Sequence, residues 1–306
     1  MQAVRTSSRT KWVELVRRVD DAGFDMIVTA DHLGDSLSPL LPLAVAAQVS
    51  DRLRLGVMVL NNDFTHPSLL ARSAATLDLL SDGRLELGLG AGHARPEYER
   101  AGLVFDSARV RVDRLEEAVP LIRQLLDGDT VTHTGTHYQL VEERCEVRPV
   151  QAKMPLLVGG SGRRVHAIAA RFADAVGFTG LGKTLDDGQH HDASGFTAQS
   201  VDDDVAALTQ AVAAANRSWP LEMQVLVQGV VVTDNAISAA ENICRTALPM
   251  LTPGDVLSSP YLMVGTVATI VDRLIEQRER WGFSHYTVRR DALGQLEPVI
   301  ASLAGR

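Results

Sequence analysis

The stretch Leu53–Gly92, LRLGVMVLNNDFTHPSLLARSAATLDLLSDGRLELGLGAG, decides the fold. An apolar, β-rich run from Leu53 to Leu60 ends in the polar turn Asn61-Asn62-Asp63. His66-Pro67 opens a helix-length segment, Ser68 to Leu80, which Asp82-Gly83 breaks. A second run, Arg84 to Leu89, leads through Gly88 and Gly90 to Gly92. Strand, helix and strand in so short a stretch predict a β-α-β unit with two parallel, neighbouring strands. Parallel strands are covered on both faces and read as apolar runs, as these do. The polar turn and the glycines fall at the carboxyl ends of the two strands, the edge where α/β folds place their chemistry.

The same alternation continues in both directions. Upstream, Gln2 to Val4 reads as a strand stub, and Thr10 to Ala22 as a helix stopped by Gly23. Phe24 to Thr29 is a strand with Asp31-His32 just past its end, and Pro42 to Ser50 is a short apolar helix. Downstream come a helix over Arg109 to Leu126 and a hairpin over Val131 to Leu140. Strands then alternate with helices: Met154 to Val158, Arg163 to Phe172, Ala175 to Thr179, Val201 to Ala215, and a long β-branched strand, Glu222 to Thr233. Helices Ala236 to Ala247 and Thr266 to Trp281, the strand His285 to Arg289 and a closing helix, Leu293 to Leu303, complete the chain. Strands in this alternation, with a stub to start, predict an α/β protein with a (β/α)8 barrel. One domain over 1–306 is expected, with a flexible, Gly/Asp-rich insertion near 180–200.

A chain of 306 residues, 45% hydrophobic, can bury a large core and needs no disulfide or metal staple. Cys145 and Cys244 are not in a Cys-x-x-Cys spacing and read as reduced thiols of a cytoplasmic protein. No run reaches the ~18 apolar residues of a membrane span. The opening MQAVRTSSRTKW lacks the apolar centre of a signal peptide. A net charge of −8 without a Lys/Arg block disfavours nucleic acid as a partner. No HExxH, GxSxG or paired Cys/His pattern supports a zinc or serine hydrolase. His190-His191, among Asp186, Asp187 and Asp192, reads as a solvated loop, so no metal site is expected.

Three places carry candidate chemistry. Gly88-Leu89-Gly90-Ala91-Gly92-His93 fails the dinucleotide fingerprint, because His93 occupies its sixth position. Gly90, Ala91 and Gly92 are either a tight strand exit or a place where backbone approaches a flat ligand closely. Val158 empties through Gly159, Gly160, Ser161 and Gly162 into a helix starting at Arg163. This is either a glycine turn with a Ser161 cap, or an anion site. In an anion site, free N–H groups and the helix dipole hold a phosphate, and Arg163 and Arg164 add charge. His32, at a strand's carboxyl end, can donate a hydrogen bond or a proton near neutral pH with Asp31 orienting it, or can simply cap the loop.

Together these segments resemble the bacterial luciferase-like monooxygenase superfamily, specifically its deazaflavin-dependent oxidoreductases (coenzyme F-420, an 8-hydroxy-5-deazaflavin). The matching residues are Ala22-Gly23-Phe24-Asp25, Asp31-His32, the Leu53–Gly92 stretch, Tyr98, Phe105-Asp106 and Arg114-Leu115-Glu116-Glu117-Ala118. VGGSGRRVHAIAARFADAVG, Leu262-Met263-Val264-Gly265-Thr266 and Trp281-Gly282 continue the likeness. The resemblance implies a TIM barrel with the cofactor at its carboxyl face. It implies a bulge with a cis peptide at Met58–Val59 behind the ring, where Met58, Val59 and Leu60 would offer apolar bulk to one face and Asn61 polar contacts to the edge, with Gly159 and Gly160 at the cofactor phosphate and His32 near the reacting ring edge. The implied activity is hydride transfer between the deazaflavin and a small organic substrate. The alternatives are an FMN-dependent monooxygenase with a separate reductase, and a non-catalytic flavin-binding barrel.

Two departures matter. Some relatives carry a glutamate as proton donor after the fourth-strand glycines, where this chain has His93, and Leu33-Gly34-Asp35-Ser36 supplies no aromatic residue after Asp31-His32. Sugar-phosphate dehydrogenation is therefore not expected. The first strand is also shorter than the family's, which reads either as a misplaced start codon or as a barrel wall partly open there. Finally, Leu40 to Val49 and Leu69 to Leu80 are more apolar than one buried stripe requires, which predicts a homodimer through these helices.

Overall fold

The computed structural model describes residues 1–182, 185 and 191–303. Its strands are β1 (Met26–Thr29), β2 (Arg54–Asn61), β3 (Leu85–Gly90), β4 (Val131–Thr134), β5 (Gln139–Glu143) and β6 (Leu156–Gly159). They continue as β7 (Ala175–Phe178), β8 (Glu222–Leu226), β9 (Gly229–Val232), β10 (Leu262–Gly265) and β11 (Phe283–Thr287). Among the described residues one parallel sheet runs β1-β2-β3-β6-β7-β8-β11. Every residue of β1, β3, β6 and β7 is buried, as strands covered on both faces must be.

The stub at the start joins the two edges of this sheet. Gln2 bridges in parallel to both Val28 and Arg289. Its N–H donates to the Val288 carbonyl at 2.7 Å, and the Ala3 N–H donates to Val28 at 2.8 Å. The reading of an open wall is thus corrected: a few residues suffice, because they bond to the strand on either side.

The helices lie where periodicity places them, and local chemistry sets their ends. Helix Arg9–Asp21 starts at Ser8, whose hydroxyl accepts from the Lys11 N–H. Helix Ala108–Asp127 starts at Ser107 and stops at Gly128, whose φ of 93° is left-handed. Helix Pro67–Leu80 opens at His66, whose side chain accepts from the Ser68 N–H. Near its end, the fully buried Asp78 carboxylate accepts from the N–H groups of Leu85, Val150 and Gln151 and from the Gln151 side chain. One side chain thereby ties this helix to the start of β3 and to the segment leading into β6.

One expectation changes. The long strand foreseen over Glu222 to Thr233 is two strands. β8 stays in the barrel, the Val227 N–H still donates to Thr287, and then Gln228 and Gly229 turn to the Tyr261 carbonyl. β9 pairs with β10, a strand that the sequence reading did not identify, outside the barrel sheet. A run of β-branched residues shows extended backbone but not its partner. The insertion expected near 180–200 lies partly outside the described residues, as do His190, Asp186 and Asp187. Its described end enters helix Ala198–Ala215 through a Thr197 cap. The hairpin β4–β5 is antiparallel, as predicted. Glu117 holds it, accepting from His133 and from the N–H groups of His137 and Tyr138.

Candidate active site

The site begins with an irregularity between β2 and β3. Val57 lies opposite Leu87 and Leu60 opposite Leu89, so Met58 and Val59 together face one residue, Gly88. This is a β-bulge, and the Met58–Val59 peptide within it is cis. The glycines answer the bulge. A Cβ on Gly88 would stand 2.1 Å from the Val57 carbonyl oxygen. On Gly90 it would stand 2.6 Å from one Val59 methyl, and on Gly159 it would stand 2.7 Å from the other. Val59 is therefore seated across the bare ends of β3 and β6, half-buried. Met58 turns inward onto Met26, Val28 and Leu226. Its carbonyl accepts from the Gln2 side-chain amide at 3.1 Å.

His32 lies at the same end of the barrel, three residues past β1. The expected partner, Asp31, does not orient it. The Asp31 carboxylate instead accepts from the Asn61 N–H at 3.1 Å, and burial pushes this carboxyl above its usual range. The partner is Glu97, whose Oε1 is 2.9 Å from His32 Nδ1. Sequence reasoning missed Glu97. Its signal was a carboxylate in the first turn of a Pro-opened helix, Arg95–Ala101, just after the glycine exit.

His93 follows the β3 glycines, and its surroundings push the imidazole toward the neutral form. Burial, and then the neighbouring His191, His32 and Arg111, lower its pKa to about 4. Its ring centroid is 5.5 Å from that of His32 and 4.7 Å from that of His191. Gly92 has a φ of +77°, and a Cβ there would strike the Tyr98 hydroxyl at 2.2 Å. That hydroxyl is 3.0 Å from both Asn61 Oδ1 and Asp63 Oδ2. Asn61 is buried and its Oδ1 is engaged by Tyr98 and the Asp63 N–H. The fold thus uses the carbonyl of this amide, and Nδ2 is the atom left for other contacts.

The glycine exit of β6 opens nearby. Gly160 and Gly162 have φ of +140° and +101°, and Gly162 is the N-cap of helix Arg163–Phe172. Of the two readings of Ser161, the helix cap is not found, because Gly162 rather than Ser161 occupies the capping position. The first N–H groups of the helix therefore lack a side-chain cap. Arg163 is exposed beside them. Arg164 is engaged elsewhere, 2.6 Å from Asp113 and 2.8 Å from Glu116, so its charge is largely answered before any ligand arrives.

These features converge on the carboxyl ends of β1, β2, β3 and β6. A concavity of about 520 Å³ at the opposite end, lined by Lys153, Asp174, Trp219 and Glu222, contains none of the predicted residues. Its Lys153–Asp174 pair, at 2.6 Å, is already satisfied within the protein. Among the described residues no group of three His, Cys, Asp or Glu side chains is arranged to hold a metal, and no helix is long and apolar enough to cross a membrane.

Known proteins share this architecture. An F420-dependent glucose-6-phosphate dehydrogenase of Microbacterium testaceum (strain StLB037) is 34% identical over 163 residues, 51% of this chain and 48% of that protein. An F420-dependent hydroxymycolic acid dehydrogenase of Mycobacterium tuberculosis (strain ATCC 25618 / H37Rv) is 33% identical over 163 residues, 51% of this chain and 45% of that protein. The chain spans about half the length of the curated relatives it matches. A solved F420-dependent secondary alcohol dehydrogenase, in complex with an F420-acetone adduct, superposes with a TM-score of 0.77. That likeness covers 99% of this chain and 97% of the other at 18% identity, and so shows a shared fold. The luciferase-like monooxygenase family profile matches residues 2–285, nearly the whole barrel, and the chain belongs to that family.

Proposed function

We propose that the protein is an oxidoreductase that moves a hydride between a deazaflavin and a small organic substrate. The observation that carries this reading is Val59, seated on Gly90 and Gly159 beside the His32–Glu97 pair. It offers an apolar support for one face of a planar ring, with a proton-handling group at the same edge. Relatives named for dependence on this cofactor support the choice over FMN.

The residues present fit such a group. Met58 and Val59 would back the ring, and Gly90, Ala91 and Gly92 would let backbone approach it. Gly159, Gly160, Ser161 and Gly162 would surround the phosphate, with Arg163 as the available cation. When bound, a deazaflavin supplies a two-electron hydride acceptor or donor. The chain's own part is to hold that ring, exclude water and manage one proton at His32. His93, neutral near pH 7, can accept or donate a hydrogen bond to substrate without adding charge.

We further infer a cytoplasmic homodimer formed from a single-domain chain. Leu41 and Val45 on helix Leu40–Ala47, with Leu69 and Leu80 on helix Pro67–Leu80, form an exposed apolar face. Such a face suits burial against its own copy.

Fluorescence titration of the pure protein with the deazaflavin and with FMN tests the main reading. Tighter binding of the deazaflavin is expected, and replacing the exposed Arg163 by Gln should weaken it with the melting temperature little changed. Tighter binding of FMN would overturn the assignment.

A further inference from the structure

We infer that Glu97 is a positioning residue that fixes the tautomer of His32, with the proton on Nδ1 and the lone pair on Nε2. The inference deepens the reading above, since it assumes that His32 faces substrate. Glu97 Oε1 is 2.9 Å from His32 Nδ1, and Glu97 Oε2 accepts from the Leu33 N–H, also at 2.9 Å. An ionised carboxylate can only accept, so Nδ1 must carry the hydrogen. With both oxygens committed to one loop, the carboxylate cannot rotate to serve another donor. The Glu97 side chain is 14% exposed and that of His32 is 41% exposed, so the pair is anchored inside and open outside. Nε2, on the far side of the ring, has no hydrogen-bond partner among the described residues.

The surrounding groups leave this assignment uncontested. The Asp31 carboxylate faces the Asn61 N–H rather than the imidazole. His93 meets His32 edge-on, at 84°, and is held neutral. The dyad therefore joins the loop after β1 to the helix after β3 and presents one basic nitrogen to the site. When a substrate CH–OH becomes C=O, the electron pair of the broken C–H bond leaves with the hydride. The hydroxyl proton ends on Nε2, and the charge gained there is answered by Glu97. In the reverse direction Nε2–H returns that proton to the carbonyl oxygen. Second groups that orient a catalytic histidine in this way are common wherever its two nitrogens have different tasks.

The test is spectroscopic and needs no cofactor. The full chain is labelled with 15N-histidine, and its long-range 1H–15N spectrum is recorded at pH 8, with His32→Gln identifying the resonances. The expected result is His32 protonated at Nδ1 and bare at Nε2. Glu97→Gln can keep the Leu33 N–H bond through its oxygen while its amide nitrogen donates to Nδ1. It should therefore shift the proton toward Nε2 with little loss of melting temperature. If wild-type His32 carries its proton on Nε2, or if Glu97→Gln leaves the tautomer unchanged, the inference is wrong. A lower melting temperature with an unchanged tautomer would make Glu97 a loop staple only. Should the variant fail to fold, the wild-type tautomer still decides. Failure of deazaflavin binding would sink the functional reading and leave the tautomer assignment standing.

Discussion

Gly90→Ala probes the seat of the bulge most directly. The added Cβ would stand 2.6 Å from a Val59 methyl and 3.3 Å from the Gly159 carbonyl oxygen. Comfortable carbon–carbon contact is about 3.5–4.0 Å, so the methyl must retreat by about 1 Å. Behind Val59 stands Gly159, whose own missing Cβ gives only the space already used. Overpacking of this kind costs about 1–3 kcal/mol. Val59→Ala alone removes two half-buried methyl groups, worth about 1 kcal/mol. If the clash with Val59 is the whole penalty, the double variant should be about as stable as Val59→Ala, which gives a coupling of about 1–3 kcal/mol. Gly88→Ala is the control. Its Cβ would meet a backbone carbonyl at 2.1 Å, which no side-chain truncation relieves. Thermal and denaturant melts of the four proteins, paired with deazaflavin titration, measure the cycle. Gly90→Ala as stable as wild type, or a double variant no better than the sum of the singles, would refute the account of these glycines.

Three further outcomes are expected. Asp78→Ala removes the acceptor of four buried or half-buried N–H donors, each costing about 1–3 kcal/mol when orphaned, so a loss of about 3 kcal/mol or more should appear in a denaturant midpoint. Leu69→Glu combined with Leu80→Glu should halve the mass seen by light scattering at micromolar concentration, whereas a monomeric wild type would defeat the dimer at once. His93 has its pKa lowered from 6.5 to about 4, so the unfolded chain binds a proton there that the folded one refuses. Stability from this group is therefore intact above pH 6.5 and falls as the pH drops toward 4. Melting temperatures across that window should decline less in His93→Gln than in wild type.

The sequence by itself determined the barrel and most of its strand ends. Parallel strands that must be buried on both faces leave long apolar runs, and helices on the outside leave a 3.6-residue period, so both are legible in a line of letters. Glycines at 88, 90 and 159 marked places where backbone is bare, and a resemblance carried by specific residues located the cis peptide at Met58–Val59. Only the tertiary structure decided what those features face. That Val59 is the object lodged over Gly90 and Gly159 depends on a bulge between two strands and a third strand beyond them. That Glu97 rather than the adjacent Asp31 holds His32 depends on where the helix after β3 passes the loop after β1, 65 residues away in the chain. The split of Glu222 to Thr233 between barrel and outer pair depends on the Tyr261 carbonyl that captures Gln228 and Gly229. Burial and period are local properties of a segment and are written into its composition. Choice among hydrogen-bond partners compares groups distant in sequence and is settled only when the ring closes and brings the strand ends together.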